Sequence, residues 1–289
     1  MARAALLIVN SKSRSGKDAL RPAFERLLEQ GIEPVYRDCS SRDDLSAMIE
    51  REGAALDLVI IGGGDGTLNA SAAGILKINR PMGILPLGTA NDLARTLNIP
   101  DDLNEAIRII ANGKIQAIDL GQVNDALYFN VASLGLSAEL CQKLTGDIKR
   151  RFGKLGYAIA AVHALYRARP FHAEIITNGQ KIRSYTLQVA VGNGRFYGGG
   201  NIVEKEASIV EEMLRLYSLE FIQAWRIVLM LRSFRAGEHG GLKDVLTLRG
   251  TEFEVRTRRP KPVNADGEIV THTPARFRIL PKSINVMVP

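Results

Sequence analysis

The chain has 289 residues, 46% hydrophobic and 24% charged, a balance that fits a folded protein with a substantial core in one large domain or two ordinary ones. No repeat or low-complexity linker is visible, which excludes a fibrous or largely disordered chain. The net charge of +7 suits plain solubility, or attraction to something anionic such as nucleotide phosphates, nucleic acid or an acidic membrane, and charge alone does not choose.

Ala4–Val9 reads as a first buried strand rather than a signal peptide, because its apolar run is short and no small-residue cleavage site follows. Asp18–Gln30 reads as a helix closed by Gly31, Glu33–Tyr36 as a second strand, and Arg42–Glu52 as a helix opening at Asp43 and Asp44. Leu56–Ile61 is an apolar run ending in a glycine cluster, hence a central strand, and Thr67–Lys77 is the helix after it. Gly83–Leu85 is a short strand ended by Pro86, Asp101–Asn112 a helix with Gly113 past its end, and Ile115–Leu120 the next strand. Alternation of this kind predicts a largely parallel sheet with helices on both faces, whose ligands bind beyond the C-terminal strand ends.

After about residue 123 the pattern changes. Leu127–Val131, Ala173–Thr177, Ile182–Val191, Met213–Leu219, Val245–Leu248, Phe253–Thr257, Arg276–Leu280 and Ile284–Val288 read as short strands, and Asn178-Gly179 is a two-residue hairpin turn. This half is expected to be antiparallel, a β-sandwich, interrupted by helices near Leu155–Arg169 and Phe221–Arg235. The domains expected are 1–123, with 284–289 returning to it, and 124–283.

Gly62-Gly-Gly-Asp65-Gly-Thr67 carries the strongest chemical signal. Glycines there let backbone N–H groups close on a phosphate at a helix N-terminus. Four of them carry a large entropy cost if a turn is all they make. Asp65 makes little sense against a phosphate directly; it makes sense with a divalent cation or a hydroxyl between. Leu85-Pro-Leu-Gly88-Thr89-Ala-Asn91-Asp92 repeats the arrangement at the next strand end, either as an N-terminal cap or as the second wall of one cleft in which Asp65 and Asp92 share a Mg²⁺–phosphate assembly. Asn10-Ser-Lys-Ser-Arg-Ser-Gly16 reads as a solvated loop or a phosphate contact. Val189-Ala-Val-Gly-Asn193-Gly-Arg195-Phe-Tyr-Gly-Gly-Gly200 is a long β connection or a close approach to a ligand. Asp266-Gly-Glu268 is a good hairpin turn, and it also constrains two carboxylates of the kind that takes a proton from a hydroxyl.

Other chemistries find little support. The four histidines share no metal-ligand spacing, no Ser/His/Asp set is recognisable, and no Lys follows a glycine loop as in a Walker A motif. The two cysteines, Cys39 and Cys141, match neither a disulfide framework nor a zinc motif, which suits a reducing compartment. No run is long enough to span a bilayer. The expectation is a cytoplasmic protein, or one peripheral on the inner face of the membrane, with Lys149–Lys154 or the Trp225 helix as points of contact.

Taken together, Gly62–Thr67, Pro86–Asp92, Ile118-Asp-Leu-Gly121, Phe129-Asn-Val-Ala-Ser-Leu-Gly135, Val191-Gly-Asn-Gly194 with Gly198–Gly200, and Asp266-Gly-Glu268 resemble the diacylglycerol kinase catalytic-domain family, most closely the bacterial YegS-like lipid kinases. The resemblance covers nearly the whole chain. It implies an N-terminal α/β domain similar to phosphofructokinase and NAD kinase, and a β-sandwich domain that takes the lipid. It implies nucleotide contacts at Asn10, Cys39, Gly62, Gly63, Gly64, Asp65, Gly66, Thr67, Leu68, Gly88, Thr89, Asn91 and Asp92, and substrate contacts at Asn193 and Arg195. Glu268 would be the proton acceptor, supported by Asp266 and Asp65. The family's structural magnesium site would fall on Ser208, Glu211 and Met213, although an Asp-Gly pair expected there is Glu211-Glu212 in this chain, and Cys39 replaces a nucleotide-contacting Thr.

The function implied is ATP-dependent phosphorylation of a membrane-lipid hydroxyl, with ATP and Mg²⁺ as the small-molecule partners and no nucleic acid. Diacylglycerol, phosphatidylglycerol and sphingoid-like alcohols all present such a hydroxyl. A soluble-substrate kinase acting on NAD or a sugar phosphate, and a nucleotide sensor without catalysis, are the other readings of the same loops.

Overall fold

Unbroken aliphatic runs leave a strand no face for water, so β1 (Arg3–Val9) and β3 (Leu58–Gly63), both buried through most of their length, must be covered on both sides. They form the centre of a parallel sheet in a computed structural model that describes residues 3–13, 15–39, 44–138, 169–193, 196–197, 201–202, 208–220 and 245–289. β2 (Ile32–Asp38) pairs parallel on the far side of β1, and β4 (Met82–Pro86) parallel on the far side of β3. Helices α1 (Gly16–Glu29), α2 (Leu45–Met48), α3 (Asp65–Ile78), the short α4 (Asp92–Thr96) and α5 (Leu103–Asn112) make the crossovers. The expected Arg42–Glu52 helix is helical where described, but it widens into a π turn over Ile49–Gly53. α5 begins two residues later than expected, because the Asp102 carboxylate accepts from Glu105 N–H (3.0 Å) and caps it there.

β5 (Lys114–Val123) leads into an antiparallel second half. It contains β6 (Ala126–Tyr128), β7 (Val131–Gly135), β8 (Phe171–Thr177), β9 (Gln180–Gly192), the small pair β10 (Phe196–Tyr197) and β11 (Asn201–Ile202), β12 (Leu214–Glu220), β13 (Val245–Gly250), β14 (Glu252–Thr257), β15 (Pro262–Ala265), β16 (Glu268–His272) and β17 (Ala275–Val288). A sequence-predicted strand over Leu127–Val131 is in fact two, β6 and β7, because the N–H groups between them turn to a side chain instead of a ladder. Conversely, Arg276–Leu280 and Ile284–Val288 are one strand. A register shift between Leu280 and Ile284 absorbs Pro281, which has no N–H to give, and Lys282 at φ 47°. The two expected helices near Leu155–Arg169 and Phe221–Arg235 fall outside the described residues, Arg169 excepted.

Strand pairing is continuous from one half to the other, in the order β16-β15-β7-β9-β8-β14-β17-β4-β3-β1-β2. There are nevertheless two apolar cores. One collects Leu7, Ile60, Ile84 and Ile107 under the helices; the other collects Leu134, Val191, Phe253 and Phe277 inside the β half. β17 belongs to both, with Phe277 in the second core and Ile284, Val286 and Val288 in the first. It pairs antiparallel with β14 and β5, and parallel with β4 through Val286 and Met82.

Candidate active site

Three loops leave the C-terminal ends of β1, β3 and β4, and the register sets those ends side by side: Val9 opposite Gly62, Gly63 opposite Pro86. Asn10 donates its backbone N–H to Gly62 O (2.8 Å) and its side-chain amide to Thr67 Oγ1 (3.0 Å), while its Oδ1 accepts Lys12 N–H (2.9 Å). The first loop is thus fastened to the second. The second and third meet backbone to backbone. A Cβ on Gly88 would lie 2.4 Å from Gly64 Cα, so only glycine fits there. None of the glycines from 62 to 66 has positive φ; close approach, rather than turn geometry, requires Gly64 and Gly88.

Gly64 caps α3 with no side chain, so the first-turn N–H groups of this helix face outward without a side-chain acceptor. Asp65 opens the helix, and its Oδ1 accepts Leu93 N–H (3.1 Å) from α4. Asn91, at φ 52°, closes the third loop on itself: Oδ1 accepts Gly88 N–H (3.0 Å), and Nδ2 donates to Pro86 O (3.2 Å) and to Asp101 Oδ1 (2.9 Å). Asp92 is buried behind it, and Thr89 is exposed at the rim. The Cys39 and Leu68 side chains are packed into the first core.

From the opposite end of the chain comes the β15–β16 hairpin, whose turn carries Asp266 and Glu268. Asp266 and Gly267 both have positive φ (45° and 98°), as a two-residue hairpin turn demands, and Asn264 Oδ1 accepts Gly267 N–H (3.1 Å) to hold it. The Asp266 carboxylate accepts from Phe129 N–H (2.7 Å), Asn130 N–H (3.1 Å) and Val131 N–H (3.0 Å), the two groups between β6 and β7 and the first of β7. Asn193 clamps the same segment from the end of β9: Nδ2 donates to Phe129 O (2.9 Å) and Asp119 O (3.0 Å), and its N–H to Asn130 O (2.8 Å). Glu268 opens β16 on the exposed side of the turn.

Burial pushes the Asp266 carboxyl up to about 6; the three N–H donors pull against this, and the charge of Asp65 adds to it. The two carboxylates, 201 positions apart in sequence, therefore share one electrostatic environment. Tyr128, fully buried on Gly121, is raised well above its usual phenol value by burial and then by Asp266. Buried amide oxygens of Asn69, Asn130 and Asn193 have no hydrogen-bond partner. The α3 N-terminus without a side-chain cap, opened by the Asp65 carboxylate, sets phosphate donors beside an oxygen ligand, which fits a metal–polyphosphate complex. Sequence reasoning missed Asp119 and Asn130 as site residues. Asp119 had a signal, an acidic residue inside the apolar β5 strand; Asn130 had none beyond its place in the Phe-Asn-Val segment.

The structure does not gather every sequence-derived candidate. Arg195 lies outside the described residues. The Asn193 amide nitrogen is committed to the backbone, leaving only its buried Oδ1 toward a ligand. Ser208, Glu211 and Met213 lie on the turn before β12, where the Glu211 carboxylate is taken by the Arg215 guanidinium (2.5 Å). Among the described residues no group of three or more His, Cys, Asp or Glu side chains is arranged to hold a metal ion by itself.

Residues 4–123 match the family model for the diacylglycerol kinase catalytic domain, and residues 130–288 match that for the YegS C-terminal NAD kinase beta sandwich-like domain. A protein of Pectobacterium atrosepticum named "Probable lipid kinase YegS-like" is 33% identical over 98% of this chain and 95% of its own length. A "Diacylglycerol kinase" of Bacillus subtilis is 30% identical over 95% of this chain and 93% of its own. Among solved structures, a diacylglycerol kinase from Bacillus anthracis superposes with a TM-score of 0.80 at 21% identity, covering 100% of this chain and 97% of that one, which shows a shared fold. The chain belongs to the diacylglycerol kinase catalytic-domain family, with a second domain of the YegS type.

Two outcomes follow from the geometry. Gly88→Ala forces the two loop backbones apart and is expected to cost about 1–3 kcal/mol, read as a lower urea midpoint; an unchanged midpoint would mean that the loops do not touch. The amide resonances of Phe129, Asn130 and Val131 are expected to titrate together near pH 6, as Asp266 gains its proton. Because its folded value lies above the ordinary 3.8, this group stabilises the fold fully below about pH 4, and the contribution is lost as pH rises through about 6, by at most ~3 kcal/mol. Three amides that titrate independently, or not at all, would contradict the shared carboxylate.

Proposed function

We propose that this member of the family transfers the γ-phosphate of ATP to a free hydroxyl of a membrane lipid, with Glu268 as the general base. The observation that carries the reading is that α3, which Asp65 opens, packs against β6 next to the Phe129–Val131 segment that holds the Asp266 hairpin, close enough for the charge of Asp65 to act on Asp266. A phosphate-binding loop alone supports nucleotide binding; a loop that faces two constrained carboxylates from another domain supports transfer to a hydroxyl.

In this reading the α3 N-terminus and the Gly62–Leu68 backbone hold the phosphates, and Gly88 and Thr89 form the second wall. Asp65 and Asp92 would hold the Mg²⁺ that accompanies ATP, and the ion would neutralise charge on the transferring group. Asn10 keeps the first loop on Thr67 and so fixes the crevice's width. Asp266, held by three backbone donors, anchors the turn that carries Glu268. Glu268 accepts the acceptor hydroxyl's proton as the phosphoryl group moves in line. The transition state is loose, so positioning and charge neutralisation supply most of the barrier reduction. Among the described residues no helix is long and apolar enough to cross a membrane, and the lipid is taken from a membrane surface by peripheral contact.

The test is transfer of labelled phosphate from ATP into a total lipid extract in mixed micelles, with NAD and sugar phosphates as parallel acceptors. Labelled lipid is the expected product, and mass spectrometry names it; label in NAD or a sugar phosphate alone would replace the lipid reading with the soluble-substrate one. Glu268→Gln is expected to lower turnover about 10²–10⁴-fold with ATP affinity retained. Undiminished turnover would remove Glu268 from the mechanism.

A further inference from the structure

The turn before β12 joins the two halves of the molecule. Ile209 at its start is buried in the first core, and Leu214 at its end is buried in the second. A joint of this kind must be stiff if the crevice between the halves is to keep its width. It is also where the family likeness would set a structural magnesium ion, on Ser208, Glu211 and Met213, and those residues do not fit one.

Mg²⁺ requires near-octahedral oxygen ligation and gives up its waters reluctantly. Here the single carboxylate among the three residues is already bound: Glu211 Oε2 accepts from Arg215 Nη2 at 2.5 Å. Arg215 is 5% exposed, on β12 between Gly192 of β9 and Arg249 of β13. A second cation on Glu211 would compete with a buried guanidinium that cannot lose its charge. Beyond that carboxylate, Ser208 and Met213 offer magnesium only neutral oxygens, a hydroxyl and backbone carbonyls, because a thioether is too soft a donor. Glu212, where the family pattern has glycine, sits at φ 58° and makes its own ion pair with Lys282 Nζ (2.6 Å). The backbone around it is fastened from below by one buried side chain. Asp119 Oδ2 accepts Glu212 N–H (2.6 Å), Asp119 Oδ1 accepts Lys282 N–H (2.8 Å), and Asp119 N–H donates to Ile209 O (2.8 Å).

We infer that this chain carries its structural cation within its own sequence: the Arg215 guanidinium holds the turn through Glu211 and the Lys282 ammonium ties that turn to β17, in the role a bound divalent ion would otherwise fill. The fold then needs no metal, and any requirement for Mg²⁺ belongs to the nucleotide alone. The inference concerns the folded chain and stands whether or not a lipid is the acceptor.

The experiment is thermal unfolding of the full-length, nucleotide-free protein in EDTA and in millimolar MgCl₂, for the wild type and for Glu211→Gln. If the internal pair is the staple, Glu211→Gln lowers Tm by several degrees and by the same amount in both buffers. A Tm that rises with Mg²⁺ in the wild type, with the gain lost in Glu211→Gln, would show that an ion sits on Glu211 and would overturn the inference. So would a Glu211→Gln variant as stable as the wild type in both buffers. Should Glu211→Gln not fold, Arg215→Lys, which keeps a cation, is compared in the same way: a loss of Tm that Mg²⁺ does not repair supports the inference, and full repair by Mg²⁺ overturns it.

Discussion

One carboxylate organises the working end of the molecule. Asp266 accepts three consecutive backbone N–H groups, those of Phe129 and Asn130 between β6 and β7 and that of Val131 at the start of β7. Remove the carboxylate and three buried donors lose their acceptor, at a cost no other side chain nearby can offset. The same contact fixes the β15–β16 turn, sets where Glu268 stands, and lets the charge of Asp65 be felt across the crevice. The price is a carboxyl held near pH 6 rather than near 4, which places it among the groups that respond to a cation or an added phosphate.

Much of the first half was legible because its rules are local. Aliphatic runs ending in glycine mark strands of a parallel sheet, and each of the three polar loops named from the sequence does leave such a strand end. The reason for the glycines was only half legible: the sequence shows that Gly64 and Gly88 are flexible, whereas the requirement is that one backbone lies on the other. The hairpin at Asp266-Gly267 was readable from its two residues alone, since both must take positive φ.

What the sequence could not show was partnership at long range. Nothing near Phe129 announces that its N–H will meet a side chain 137 positions later, and this contact is what divides the expected Leu127–Val131 strand in two. Asn193 looked like a ligand-facing residue in a glycine-rich loop, yet most of its hydrogen-bonding capacity ties β5 to the Phe129–Asn130 segment. The pair Glu211-Glu212 looked like a loss when set against the family pattern. Its compensation lies at Arg215, four residues on, and at Lys282 and Asp119, and only the fold brings these three stretches together. Local pattern thus gave the elements, and non-local hydrogen bonds decided what they hold.

β17 crosses from one core to the other as a single hydrogen-bonded strand, flanked by β5 along nearly its whole length. A clamshell enzyme hinged on a slack tether has to find its working geometry afresh at every encounter. Here the two jaws are cut from one sheet, so the facing acids are set during folding and remain set. In the proposed reading, a lipid acceptor enters at the rim, by the loops, rather than by the swing of one body against another.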